Sequence, residues 1–157
     1  MNVSRAIVLV EDDEGHALLF MKQLRRRGIR NPIHHFVTGS GALAFLDAPK
    51  PALETPQLIV LDINLPDMPG TEVLARIATD PAINAIPVVM LTSSDDQEDA
   101  RLSFELGCRH YMIKPLHVER FVDVCRDVGY PLSVEPVGGV DTATDGPMGS
   151  PSADRET

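Results

Sequence analysis

The chain has 157 residues, 43% of them hydrophobic and 24% charged, with a net charge of −9. That length suffices for one domain with a real core, and the acidic balance argues against general binding to nucleic acid or to an anionic membrane surface. No apolar run approaches the ~18 residues of a membrane span, the first five residues lead into a strand-like run rather than a signal peptide, and Cys108 and Cys125 lack metal-ligand spacing, so reduced thiols in a cytoplasmic protein are expected.

In chain order, Ala6-Ile7-Val8-Leu9-Val10 reads as a buried first strand that ends on Glu11-Asp12-Asp13-Glu14. A helix follows, with Leu18, Met21 and Leu24 marking its apolar face and Gly28 ending it after a basic last turn. Ile33 to Val37 is a second strand, and Thr38-Gly39-Ser40-Gly41 leads into a small helix, Ala42 to Leu46. Pro49, Pro51 and Pro56 stiffen the next loop. Leu58-Ile59-Val60-Leu61 is a third buried strand ending on Asp62, with a Pro-, Asn-, Asp- and Gly-rich turn behind it as far as Gly70. A helix from about Thr71, lined by Val73, Leu74 and Ile77, is closed by Pro81. Pro87 to Leu91 is the fourth strand, and Thr92-Ser93-Ser94-Asp95-Asp96 is its exit loop. A helix from about Gln97 to Leu106 ends at Gly107, and Tyr111-Met112-Ile113 is a fifth strand stopped by Lys114-Pro115. The last helix, about Val118 to Val128, carries Phe121, Val124, Cys125 and Val128 at i, i+3, i+4 and i+7.

Five strand–helix units imply an α/β fold: a doubly wound, five-stranded parallel sheet with helices on both faces, in one domain over residues 1–129. Residues 130–137 read as an extended, Pro-bracketed arm, and residues 138–157 as a disordered acidic tail. The basic residues around the end of the first helix read as a solvated helix terminus, and His34-His35 as strand residues without matching ligands.

The strand exits share one edge, where open α/β sheets bind ligands. Glu11, Asp12, Asp62, Thr92 and Lys114 each fall at or just after the end of an apolar strand, so they meet there. Three carboxylates at one edge repel one another, and a hard divalent cation such as Mg²⁺ resolves that repulsion. A carboxylate, a metal, a lysine and a hydroxyl donor are together the parts of a phosphoryl-transfer site, with Asp62 as nucleophile.

Val10-Glu11-Asp12, the run Leu61 to Gly70, Leu91-Thr92-Ser93 and Tyr111-Met112-Ile113-Lys114-Pro115 resemble the receiver domain of two-component response regulators, in order and spacing, over about residues 4–128. The resemblance implies the flavodoxin-like receiver fold, with Asp62 accepting a phosphoryl group from a phosphohistidine of a sensor histidine kinase. It implies Mg²⁺ held by Asp12, Asp62 and the backbone carbonyl of Asn64, with Glu11 acting through water. Lys114 and Thr92 would bind phosphoryl oxygens, Tyr111 would be the switch aromatic, and the bond before Pro115 would be cis. Asp13, Asn64 and Ser94 would tune dephosphorylation. Phosphorylation would shift a pre-existing equilibrium read out on the fourth helix, fifth strand and fifth helix.

Glu11 to Ala17 and Thr79 to Val89 resemble, more finely, the single-domain regulators paired with phytochrome histidine kinases, some of which dimerise through a C-terminal arm. The expectation is a homodimer acting by protein–protein contact, without an output domain and without enzymatic activity beyond its own phosphorylation and dephosphorylation. Two other functions share the fold. A flavodoxin-like cofactor binder would need a hydroxyl- and Gly-rich loop after the first strand, where this chain is acidic. An aspartate-nucleophile phosphatase would usually carry an acid two residues after Asp62, where this chain has Asn64.

Overall fold

A computed structural model of the chain describes residues 5–51, 55–93 and 97–135. Ser94, Asp95 and Asp96 of the fourth strand's exit loop, the end of the arm and the acidic tail lie outside the described residues. Each apolar run is followed by a helix long enough to cross back over the sheet, and so the runs pair in parallel. The elements are β1 (Ala6–Val10), α1 (Glu14–Arg26), β2 (Ile33–Phe36), α2 (Gly39–Asp47), β3 (Pro56–Asp62), α3 (Gly70–Ala78), β4 (Val88–Thr92), α4 (Gln97–Glu105), β5 (His110–Ile113) and α5 (Val118–Asp127). The sheet order is β2-β1-β3-β4-β5, all parallel. This is the doubly wound arrangement that the five strand–helix units imply. Its order reverses between β1 and β3, which opens a crevice at their carboxyl ends.

The two-residue period of the strands sorts the core into two layers. Ile7, Leu9, Leu58, Val60, Val89, Leu91 and Met112 face one side, with Ala17, Phe20 and Leu24 of α1 and Phe121, Val124 and Cys125 of α5. Val8, Val10, Ile59, Leu61, Val88 and Met90 face the other, with Ala42, Leu43 and Leu46 of α2 and Val73, Leu74 and Ile77 of α3. Phe20 and Phe121 meet edge to face with centroids 5.1 Å apart, which joins α1 to α5.

Three local expectations need correction. The buried face of α1 is Ala17, Phe20 and Leu24, while Leu18 and Leu19 are 51% and 56% exposed. The run Ala17-Leu18-Leu19-Phe20 is apolar all round, so its composition does not set the phase of the helix. That phase follows from Asp13, whose carboxylate caps the helix by accepting from the His16 N–H at 2.9 Å. α2 begins at Gly39 rather than Ala42, for Thr38 caps it through the Gly41 N–H at 3.0 Å. α3 ends at Ala78, before Pro81 is reached.

The segment after α5 turns at Gly129, which has a φ of 75°. It then folds back on the body. Tyr130 is buried in the α1/α5 layer, and its hydroxyl donates to the Arg5 carbonyl. Asn31, fully buried, donates to the Tyr130 hydroxyl at 3.1 Å and accepts from the Ser133 N–H at 2.8 Å. Backbone bonds join Arg30 to Ser133 and Glu135 to Gly28, each at 2.8 Å. The described part of the arm is therefore a clasp on its own chain.

Candidate functional site

The period that builds the core also aims the polar groups. Glu11, Asp62 and Lys114 each stand two residues beyond an apolar residue of the α1/α5 layer: Leu9, Val60 and Met112. They meet at the carboxyl edge. The Lys114 Nζ lies 2.6 Å from Asp62 Oδ2 and 2.8 Å from Glu11 Oε1. Glu11 and Asp62 are almost fully buried, at 1% and 2% exposure. The second oxygen of each acid is also engaged. Asp62 Oδ1 accepts from the Asn64 N–H at 2.9 Å, and Glu11 Oε2 from the Asp13 N–H at 3.0 Å.

Burial pushes the Glu11 carboxyl above its ordinary range, although the hydrogen bonds from Lys114 and the Asp13 N–H pull against it. Burial alone would lower the Lys114 ammonium. Its hydrogen bonds to Asp62 and Glu11 outweigh that and hold it above its ordinary value. Asp12, exposed at the end of β1, completes a set of three carboxylates whose oxygens lie within 4.8 Å of one another. Anionic oxygen donors crowded this closely fit a hard divalent cation, since nothing softer than oxygen is offered.

Thr92 and Tyr111 share the face of Met90 and lie on the α2/α3/α4 side of the edge. Thr92 is fully buried as the last residue of β4, where its carbonyl accepts from the Lys114 N–H at 2.6 Å. Tyr111 is half-buried against that layer, with its ring 6.3 Å from the ring of Phe104 in α4. The Lys114–Pro115 peptide bond is cis. Asn64 is exposed at the head of the turn after Asp62, and that turn closes through the Gly70 N–H onto the Ile63 carbonyl at 2.8 Å. Only glycine fits there: a Cβ on Gly70 would lie 2.2 Å from the Asp62 carbonyl oxygen.

Two contributors escape a reading of the sequence. The His35 Nε2 hydrogen-bonds the Glu11 carbonyl at 2.8 Å across the β1–β2 pair, a partnership set by register alone. Asp67 reaches from the turn to α2, accepting from the Gly39 and Ser40 N–H groups at 2.9 Å each. His16 bonds none of the site acids; its Nδ1 lies 3.4 Å from the Asp13 carboxylate. It lines a cleft of about 420 Å³ that runs from Glu11 and Lys114 between α1 and the loop Pro115-Leu116-His117. No helix among the described residues is long and apolar enough to cross a membrane.

Comparison with known proteins fits this geometry. Residues 7–126 match the family described as the response regulator receiver domain. The chain is 37% identical over 114 residues to the probable methanogenesis regulatory protein FilR2 of Methanothrix harundinacea, covering 72% of this chain and 74% of FilR2. It is 36% identical over 115 residues to the response regulator Rcp1 of Synechocystis, covering 72% and 78%. A crystal structure of Rcp1 in its Mn²⁺-bound form superposes with a TM-score of 0.68 at 31% identity, over 85% of this chain and 99% of that one. The bacteriophytochrome response regulator AtBRR superposes with a TM-score of 0.72 at 30% identity, over 84% and 97%.

Proposed function

Because the chain belongs to the response regulator receiver domain family, we propose that Asp62 accepts a phosphoryl group from a phosphohistidine of a sensor histidine kinase. The single observation that carries this reading is the buried Asp62 carboxylate joined to Lys114 within a set of three acids at the sheet's carboxyl edge. In the reaction an Asp62 oxygen attacks phosphorus, the O–P bond forms as the N–P bond breaks, and the electron pair of that bond leaves with the imidazole. Mg²⁺, held by Asp12, Asp62 and the Asn64 carbonyl with Glu11 acting through water, would neutralise charge on the acids and the phosphoryl oxygens.

Lys114 is already within reach of the Asp62 oxygen, so its ammonium meets a phosphoryl oxygen by moving from one anion to its neighbour. Thr92 reaches another oxygen from the opposite face of the sheet, and Tyr111 beside it follows that movement inward. The proposed readout is the surface of α4, β5 and α5, where Phe104 and Ile113 are 50% and 51% exposed. The donor approaches along the cleft over Lys114, beside the exposed Leu18 and Leu19 of α1.

The relatives named for phytochromes support a bacteriophytochrome as the kinase. We further infer a cytoplasmic regulator that acts by protein contact, with self-association through residues 130–137, rather than by enzymatic output. Incubation with acetyl phosphate and Mg²⁺ should add one phosphoryl group to the intact mass. That adduct should be absent from Asp62→Asn and lost in EDTA. A wild-type protein that gains no mass, from acetyl phosphate or from phosphorylated kinases, refutes the reading.

A further inference from the structure

The turn that follows Asp62 is tied down at two points. Its neck is closed by the Gly70 N–H on the Ile63 carbonyl and by pairing of Asn64 with Pro69. Its tip is held by Asp67, which accepts at 2.9 Å from both the Gly39 and the Ser40 N–H groups of α2. We propose that Asp67 is a positioning residue for the acidic site: by bridging the turn to the start of α2 it fixes the backbone at Asn64, and so sets the divalent-cation affinity of the cluster Glu11, Asp12 and Asp62. This rests on the reading above, in which the Asn64 carbonyl is a metal ligand.

Three observations carry it. First, the contact is bidentate and satisfies two of the helix N–H groups that have no intrahelical acceptor. Thr38 takes the next, its Oγ1 accepting from the Gly41 N–H at 3.0 Å, and its carbonyl accepts the first intrahelical bond, from Ala42 at 3.3 Å. The helix thus has a local cap of its own, and Asp67 supplies what a residue in sequence reach does not. Second, the two surfaces are in close contact. A Cβ on Gly39 would stand 2.8 Å from both the Met68 side chain of the turn and the Val73 side chain of α3, so the helix start sits directly against the turn and the helix that follows it. Third, the N–H groups of Ser40 and Gly39 hold the Asp67 carboxyl below its ordinary range, which keeps the bridge charged and closed at neutral pH. Asp67 touches neither Asp62 nor Lys114; its effect reaches the metal through the three-residue stretch back to Asn64.

Isothermal titration of Mg²⁺ into the full chain and its variants, with thermal melts alongside, separates positioning from mere helix capping. Asp67→Ala should weaken Mg²⁺ binding by about three- to tenfold, and Asp67→Asn, which keeps one acceptor oxygen, should fall between it and wild type. Thr38→Val, which removes the other cap of the same helix, should lower the melting temperature yet leave Mg²⁺ affinity within about twofold. Asp67→Ala binding Mg²⁺ as wild type does overturns the inference, as does equal weakening by Thr38→Val. If Asp67→Ala does not fold, Asp67→Asn decides alone, and wild-type affinity in it counts against the proposal. A wild-type chain that takes up no Mg²⁺ removes the metal-ligand reading itself, whatever the Asp67 variants do.

Discussion

Lys114 balances the site. It is the ammonium within hydrogen-bond distance of both Asp62 and Glu11, and all three groups are largely withdrawn from water. Removing one partner of such a cluster leaves buried charge uncompensated, which usually costs more than the cluster contributes when whole. Lys114→Met should therefore lower stability by about 3 kcal/mol in metal-free buffer, seen as a lower urea midpoint. Mg²⁺ should restore much of that loss, because a cation placed among the same oxygens does the same electrostatic work. With its lysine gone, Glu11 would be pushed further above the carboxylate range, so the variant's stability should decline as pH rises through that range. An unchanged midpoint, or a loss that Mg²⁺ does not relieve, contradicts this account of the lysine.

Among the helices, α4 is the least anchored. Its one fully buried residue is Ser103, whose hydroxyl has no hydrogen-bond partner among the described residues, while Leu102 and Phe104 stay exposed. A buried hydroxyl left unsatisfied costs more than the methyl that could replace it. Ser103→Ala should thus raise stability by about 1 kcal/mol, measured as a higher urea midpoint. A fall would mean that the hydroxyl has a partner in solution. The elements also differ in how plainly the sequence announces them. β1, β3 and β4 were legible because unbroken apolar runs ended by polar residues admit few other readings, and α5 because Phe121, Val124 and Cys125 form one stripe. The rotation of α1 was not legible, since Leu18 and Leu19 are as apolar as the residues it buries. Nor was the first turn of α2, because its cap is completed by Asp67, 28 residues from Gly39. The acids, Thr92 and Lys114 could be found because each ends a strand. His35 and Asp67 could not, since their partners are backbone groups that only register and turn geometry bring near.

At the scale of the whole molecule, the two layers each hold one buried thiol, Cys108 on the α2/α3 side and Cys125 on the α1/α5 side. Burial pushes Cys108 from 9.0 up to about 11 and Cys125 up to about 12. Unfolded, both ionise near their ordinary value; folded, both keep their protons. Stability is therefore intact below pH 9 and falls as pH rises beyond it, by up to about 1.4 kcal/mol per pH unit for each thiol. Tyr130, raised by burial from 10.0, acts in the same direction at higher pH. Urea midpoints between pH 8 and pH 10.5 should show this decline, and replacing both cysteines by alanine should flatten its onset.

The clasp of residues 130–135 on residues 28–31 has a further consequence for assembly. Two copies that exchanged these segments would make the same hydrogen bonds, so bond energy alone favours neither the closed single chain nor the exchanged pair. What separates them is effective concentration. The segment is tethered through Gly129 directly to its own site, and short tethers hold a group at roughly millimolar local concentration. A second copy at micromolar concentration competes at a disadvantage of about a thousandfold, and exchange becomes favourable only where contacts outside the clasp supply the difference.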